Sequence, residues 1–295
     1  MNRLAAIVVT GVAIALASAT GHAGSRVALI IGNSDYQWSP LKNPANDASD
    51  MAAVLTDLGF DVDVQTDVRR VAMHRAIRQF GNKLEGAEIG LFYYAGHGVQ
   101  VEGRNYLVPV DADIREEDEV AFETIDAGRI LQKMESAKNP VNIVVLDACR
   151  NNPFASNSRT ASRGLARMDS PIGSLLLYAT APNKTAADGE GRNGVLTGNL
   201  IEHLTEPGLP LNEVILRTRV GVMEETSNQQ VPWSASSLTR NVVLNQFASA
   251  DPSQAVSLAE TLGTPAATVV EKSTGASSVS QAEKLMPVCN KHYEA

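Results

Sequence analysis

The sequence predicts an α/β fold: a three-layer sandwich with a mostly parallel sheet of about six strands and helices on both faces. Three observations carry this. Short continuous apolar runs read as strands buried on both faces, longer segments show apolar residues at helical spacing, and the two kinds alternate from Arg26 to about Leu244.

The first strand is Val27-Ala28-Leu29-Ile30-Ile31, closed by Gly32-Asn33. From Pro44 to Leu58, residues Ala48, Met51, Ala52, Val54, Leu55 and Leu58 recur on one helical face, and Gly59 stops the helix. Phe60, Val62 and Val64 then alternate with Asp61, Asp63 and Gln65, which predicts a half-exposed strand near a sheet edge. A second helix is predicted from Val68 to Leu84 with Asp67 as its cap. Ile89 to Tyr94 is the third strand, and Val99–Val101 and Tyr106–Val108 flank Glu102-Gly103-Arg104-Asn105 as a hairpin. A helix over Asp126 to Met134 leads to strands at Val141–Leu146 and Ser174–Ala179. Helices over Thr197–Leu204 and Leu211–Glu225 and a last strand near Asn241–Leu244 complete the pattern.

Around this core the chain divides into an address, a domain and a tail. One positive residue, Arg3, precedes the apolar run Leu4–Ala17, and small residues follow at Ala17-Ser18-Ala19 and Gly21-His22-Ala23, so residues 1–23 read as a secretory signal peptide. The run is shorter than the roughly 20 residues a membrane span needs. The expectation is therefore a periplasmic or secreted protein with no stable membrane anchor after cleavage. Residues 24–247 read as the folded domain, and 248–295, rich in Ala, Ser, Thr, Gly, Pro and Gln, as a flexible low-complexity tail. A net charge of −8 gives no electrostatic reason to bind nucleic acid, and 44% hydrophobic residues suit a packed core. Two cysteines cannot form a disulfide framework.

In open parallel sheets, ligands bind beyond the carboxyl ends of the strands. The third strand ends in Ala95-Gly96-His97-Gly98 and the strand Val141–Leu146 ends in Asp147-Ala148-Cys149-Arg150. A histidine between glycines is by itself a common turn residue, and a cysteine after a buried strand a small core hydrophobe. On neighbouring strand ends the two can come within proton-transfer reach, where a nearby imidazole raises the reactive thiolate fraction of a cysteine. The N–H groups of Gly98 and Cys149 are the expected oxyanion donors.

The ordered set Val27–Asn33, Leu41-Lys42-Asn43-Pro44-Ala45-Asn46-Asp47-Ala48, Tyr93-Tyr94-Ala95-Gly96-His97-Gly98, Tyr106-Leu107-Val108-Pro109-Val110-Asp111, Asp147–Pro153 and Tyr178-Ala179-Thr180 resembles the caspase-fold cysteine peptidases of family C14, closest to the bacterial relatives of metacaspases and paracaspases. The interval between His97 and Cys149 agrees with the roughly 50 residues found in caspases. The resemblance implies that His97 is general base and acid, that Cys149 forms an acyl-enzyme, and that the substrates are proteins or peptides. Caspases that cut after Asp carry Gln two positions before the nucleophile; here that position is Asp147. In metacaspases and paracaspases this Asp and a second one, matched here by Asp47, line the pocket for the residue before the scissile bond. Two carboxylates suit a guanidinium, so cleavage after Arg, with Lys second, is expected. For Asp47 a second reading stays open: a helix N-terminal charge stabilised by the macrodipole.

The segment Asn151–Ser170, with Arg150 just before it, carries Arg159, Arg163 and Arg167 and reads either as a soluble linker or as an internal cleavage site. The run Arg115–Glu119 reads as a solvated loop; some metacaspases need calcium, but no spaced ligand loop is visible, and no metal or cofactor is expected. Cys289 lies in the tail, to pair between chains or stay free, and the sequence assigns no oligomeric state. The functional expectation is an exported endopeptidase acting through a Cys149–His97 dyad. The alternative is a caspase-fold binding or scaffold protein whose catalysis is vestigial.

Overall fold

The first apolar run forms β1 (Arg26–Gly32), and its neighbours follow the expected alternation: α1 (Pro44–Asp57), β2 (Phe60–Thr66), α2 (Arg70–Lys83) and β3 (Ile89–Val101). Then come β4 (Arg104–Leu107), a 3₁₀ turn at Glu117–Glu119 running into the short α3 (Val120–Glu123), β5 (Ile125–Asp126), α4 (Ala127–Ser136) and β6 (Val141–Cys149). The series closes with β7 (Ser174–Tyr178), α5 (Val195–Leu204), α6 (Leu211–Glu225) and β8 (Trp233–Ser236). The computed structural model describes residues 24–149, 165–182, 184, 186, 189 and 191–246, with residue 149 described by its backbone. The expected signal peptide, the arginines at 150, 159 and 163, the tail and Cys289 lie outside the described residues.

The main sheet runs β2-β1-β3-β6-β7-β8, parallel throughout except for β8, which pairs antiparallel with β7. Because side chains alternate across a strand, β1 sends Ala28 and Ile30 to one face and Val27, Leu29 and Ile31 to the other. The first face packs Met51 and Leu55 of α1, Leu196 and Leu200 of α5 and Val214 and Ile215 of α6. The second packs Met73, Ile77 and Phe80 of α2 and Ile130, Leu131 and Met134 of α4. Helices therefore cover both faces of a mostly parallel sheet, as the continuous apolar strands require.

Local chemistry explains most boundaries. Pro44 opens α1, where its missing N–H costs nothing, and Gly59, at φ 80°, follows the helix in the left-handed region. β2 is the edge strand that its alternating pattern predicts. Glu102 and Gly103, at φ 50° and 76°, form the two-residue hairpin turn between β3 and β4, tighter than the four-residue connection expected. Asp126 caps α4 by accepting from Gly128 N–H at 2.8 Å.

Two further expectations need correction. Asp67 does not cap α2, whose N-cap is Arg69; it sits at φ 51° and its carboxylate accepts from the N–H groups of Ser34 and Asp35 at 2.7 and 2.9 Å. It therefore ties the loop after β1 to the loop after β2. The stretch Asn241–Leu244 contributes a single bridge, Val243 to Pro210, rather than a strand. The sheet ends instead on β8, whose Trp-Ser-Ala-Ser sequence has too little apolar character to announce a strand.

Candidate active site

β3 and β6 are adjacent and in parallel register from Ile89–Val141 to His97–Cys149, so the last pair of that ladder is the histidine and the cysteine. Beyond His97 the strand leaves the main sheet and pairs with β4. Val108 N–H donates to the His97 carbonyl at 3.0 Å, and Gly98 lies opposite Leu107. By the alternation of an antiparallel ladder, Gly98 and Leu107 form a non-hydrogen-bonded pair, so the Gly98 N–H points away from β4, to the side of β6.

This strand end is braced by buried hydroxyls. Gly96 has φ 151°, and a Cβ there would come within 2.7 Å of the hydroxyls of both Tyr36 and Tyr94. Tyr36 Oη accepts from His97 N–H at 3.0 Å, and Tyr94 Oη donates to the His97 carbonyl at 2.7 Å. Burial, then the neighbouring Tyr36 hydroxyl, pushes the Tyr94 phenol well above its ordinary range, so it stays a donor. Asn33, at the end of β1, donates to Val108 O at 3.1 Å and accepts from Val68 N–H at 3.0 Å. One amide thereby joins the ends of three segments.

The imidazole of His97 is 2% exposed. Its Nε2 lies 2.7 Å from the carbonyl oxygen of Ser39. A carbonyl only accepts, so Nε2 carries the proton and Nδ1 is the basic nitrogen of the neutral ring. Trp38 stacks on the ring at 4.5 Å and 24°, and Tyr36 packs against it at 4.4 Å. The loop after β1 thus both orients the base and covers it.

Asp147 sits two residues before Cys149 on β6 and is 8% exposed. Its Oδ2 accepts from Thr197 Oγ1 at 2.6 Å, and Tyr93 Oη lies 2.5 Å from that same Thr197 oxygen. Thr197 has one hydroxyl proton, so Tyr93 donates to Thr197 and Thr197 to Asp147. Asp47, 2% exposed, reaches out of the first turn of α1 to accept from Gly194 N–H at 2.9 Å. Gly194 is the N-cap of α5 and Thr197 lies in its first turn. Both carboxylates therefore converge on one helix N-terminus, whose dipole favours negative charge. Asp47 bonds to α5 as well as lying in the first turn of α1.

The same face of α1 holds the segment before α5. Asp50 accepts two bonds from the Arg192 guanidinium, both at 2.8 Å, and one from Asn193. The Arg192 hydrogen bond holds the Asp50 carboxyl below its ordinary range against the opposing effect of burial, with Asn193 and the Arg192 charge adding to it. Asn46 donates to Arg192 O at 3.2 Å.

The family model described as Caspase domain matches residues 25–243 of the chain. The chain belongs to the caspase family. Among curated relatives, the mucosa-associated lymphoid tissue lymphoma translocation protein 1 of Homo sapiens is 35% identical over 131 residues, 43% of this chain and 15% of that protein. Its Mus musculus homolog matches to the same extent, and Caspase-1 of Felis catus is 26% identical over 131 residues, 31% of its length. The chain thus spans less than a third of the length of these relatives.

Sequence reasoning had singled out His97, Gly98, Cys149, Asp47 and Asp147, and the fold brings them to neighbouring strand ends and to one helix end. It missed Ser39, Trp38, Thr197 and the hydroxyls of Tyr36, Tyr93 and Tyr94. A backbone carbonyl leaves no mark in a sequence, Tyr93 and Tyr94 read as ordinary apolar strand residues, and Tyr36 falls in a loop with no pattern of its own. Among the described residues no group of three or more His, Cys, Asp or Glu is arranged to hold a metal ion.

Proposed function

We propose that this caspase domain is an exported cysteine endopeptidase that hydrolyses peptide bonds after basic residues, Arg in preference to Lys. The observation that carries this reading is the terminal pair of the β3–β6 ladder, His97 opposite Cys149, with the imidazole held by Ser39 as the Nε2–H tautomer.

In the reaction, Nδ1 of His97 takes the thiol proton and the sulfur of Cys149 attacks the scissile carbonyl. The oxyanion that forms is met by the N–H groups of Gly98 and Cys149. Collapse of the tetrahedral intermediate expels the amine, which receives the proton from His97, and leaves a thioester. Water, deprotonated by the same imidazole, hydrolyses the thioester and returns the thiol. No metal or cofactor takes part in these steps.

Asp47 and Asp147 supply the charge for specificity. Each is buried and held from one side by α5, which supports a pocket that accepts a guanidinium bidentately and an ammonium less well. Export follows from the amino-terminal charge, apolar run and small-residue cleavage pattern.

The test is labelling by a thiol-reactive probe carrying a terminal Arg. The wild type should be labelled at Cys149 and the Cys149→Ala variant should not. Absence of labelling across pH and calcium conditions would favour a binding protein whose catalysis is vestigial.

A further inference from the structure

The face of the molecule that carries α2 and α4 holds a cavity of about 670 Å³, away from the residues assigned to peptide hydrolysis. Its apolar floor includes Ile77 of α2 and Ile130 of α4. Four cations, Arg78, Arg104, Arg129 and Lys133, line it against one carboxylate, Asp126, in a chain whose net charge is −8. Arg104 is paired with Asp126. Among the described residues Arg78, Arg129 and Lys133 make no ion pair. The stem of Lys133 is seated in a notch on α2, because a Cβ on Gly81 would come within 2.3 Å of Lys133 Cδ.

Asp126 compensates only part of the positive charge. His74, on the same wall, is held below its ordinary pKa first by burial and then by the charges of Arg70, Arg129 and Arg78. At the rim Phe122 is 74% exposed, a large apolar side chain beside charged ones.

The space continues along the amino-terminal turn of α4. A second cavity of about 400 Å³ shares Arg104, Asp126 and Arg129 with the first and reaches Arg167 and Asp169. Its far wall is held in place by Asn105, whose side-chain amide donates to Ala166 O at 2.7 Å and accepts from Ala166 N–H at 2.6 Å. Two cavities that share three residues make one elongated groove, a shape suited to an extended chain rather than a compact ion.

The geometry points to a groove that binds an extended acidic peptide segment of a protein partner. Its carboxylates lie against Arg78, Arg129 and Lys133, and an apolar side chain packs on Phe122 and the isoleucine floor. A small polyanion would use the cations and leave Phe122 idle, so the apolar rim distinguishes the two ligands. The groove stands whether or not Cys149 is catalytic.

The experiment is fluorescence anisotropy of a labelled peptide of Glu and Phe residues, free of Arg and Lys, titrated with the full chain carrying Cys149→Ala. Saturable binding is expected, weakened about tenfold by Arg129→Glu or Lys133→Glu and severalfold by Phe122→Ala. Arg75→Glu makes the same charge change on α2 outside the groove and should shift the Kd less than about twofold. Thermal melting checks that each variant is folded. Absence of saturable binding, or an Arg75→Glu effect equal to that of Arg129→Glu, overturns the proposal. So does binding that ignores Phe122→Ala and is displaced as readily by tripolyphosphate as by unlabelled peptide, which would define a simple anion site.

Discussion

His97 Nε2 donates to the carbonyl oxygen of Ser39 at 2.7 Å, joining the end of β3 to the loop after β1. The preceding residue in that loop, Trp38, stacks on the same imidazole. Orientation and shielding of the base thus come from two consecutive residues, and an aromatic face favours the ring when it becomes charged.

Trp38→Ala should therefore lower kcat/KM on Arg peptides about 2- to 30-fold, the range an aromatic–cation contact supplies. Trp38 is 42% exposed, so the melting temperature should move little. Steady-state kinetics alongside a thermal melt separates the two effects, and a large loss of stability with unchanged kinetics would contradict the assignment.

Gly96→Ala should cost stability before it costs chemistry. The backbone at φ 151° and the two tyrosine hydroxyls leave no room for a methyl group. A cost of about 1–3 kcal/mol is expected, lowering the melting temperature by about 2–12 °C. A differential scanning measurement checks it.

Thr197 links Tyr93 to Asp147, so its hydroxyl should matter to substrate binding. Thr197→Val deletes both bonds and should raise KM for Arg peptides while destabilising the fold by about 1–3 kcal/mol. Thr197→Ser keeps the hydroxyl and should restore KM. Asp147→Asn should lower kcat/KM for Arg peptides about 30-fold or more, since a buried charge pair loses one partner.

Acid should loosen the contact between α1 and the segment before α5. The Arg192 bond holds the Asp50 carboxyl below its ordinary range, so its contribution is complete above the unfolded-state value of about 3.9 and is lost as pH falls through the lower folded-state value. The Asp50→Asn variant should be less stable than wild type by a small, constant margin near neutral pH. Arg192 is 63% exposed, which keeps that margin small. Urea unfolding midpoints from pH 7 to pH 3 should show the margin closing below about pH 4. A margin that widens on acidification would contradict the pairing.

The parts of the fold legible in the sequence are those set by local pattern. β1, β3, β6 and β7 are continuous apolar runs because both sheet faces are covered, and β2 alternates because it is an edge. α1 was readable from helical spacing, and the residues at the ends of β3 and β6 from their polarity. What escaped depends on contacts distant in sequence. β8 forms because β7 offers it an edge, not because Trp-Ser-Ala-Ser favours a strand. Asp67 looked like a helix cap by position but satisfies a loop from β1. Ser39 acts through its backbone and Thr197 through a hydroxyl that only folding brings to Asp147.

The most direct measurement compares hydrolysis of otherwise identical fluorogenic peptides ending in Arg, Lys or Asp by the wild type and by Cys149→Ala. Turnover should be fastest with Arg, slower with Lys and negligible with Asp, and should vanish in Cys149→Ala. Faster turnover of the Asp peptide, or Arg-directed turnover that persists without the thiol, would contradict the account.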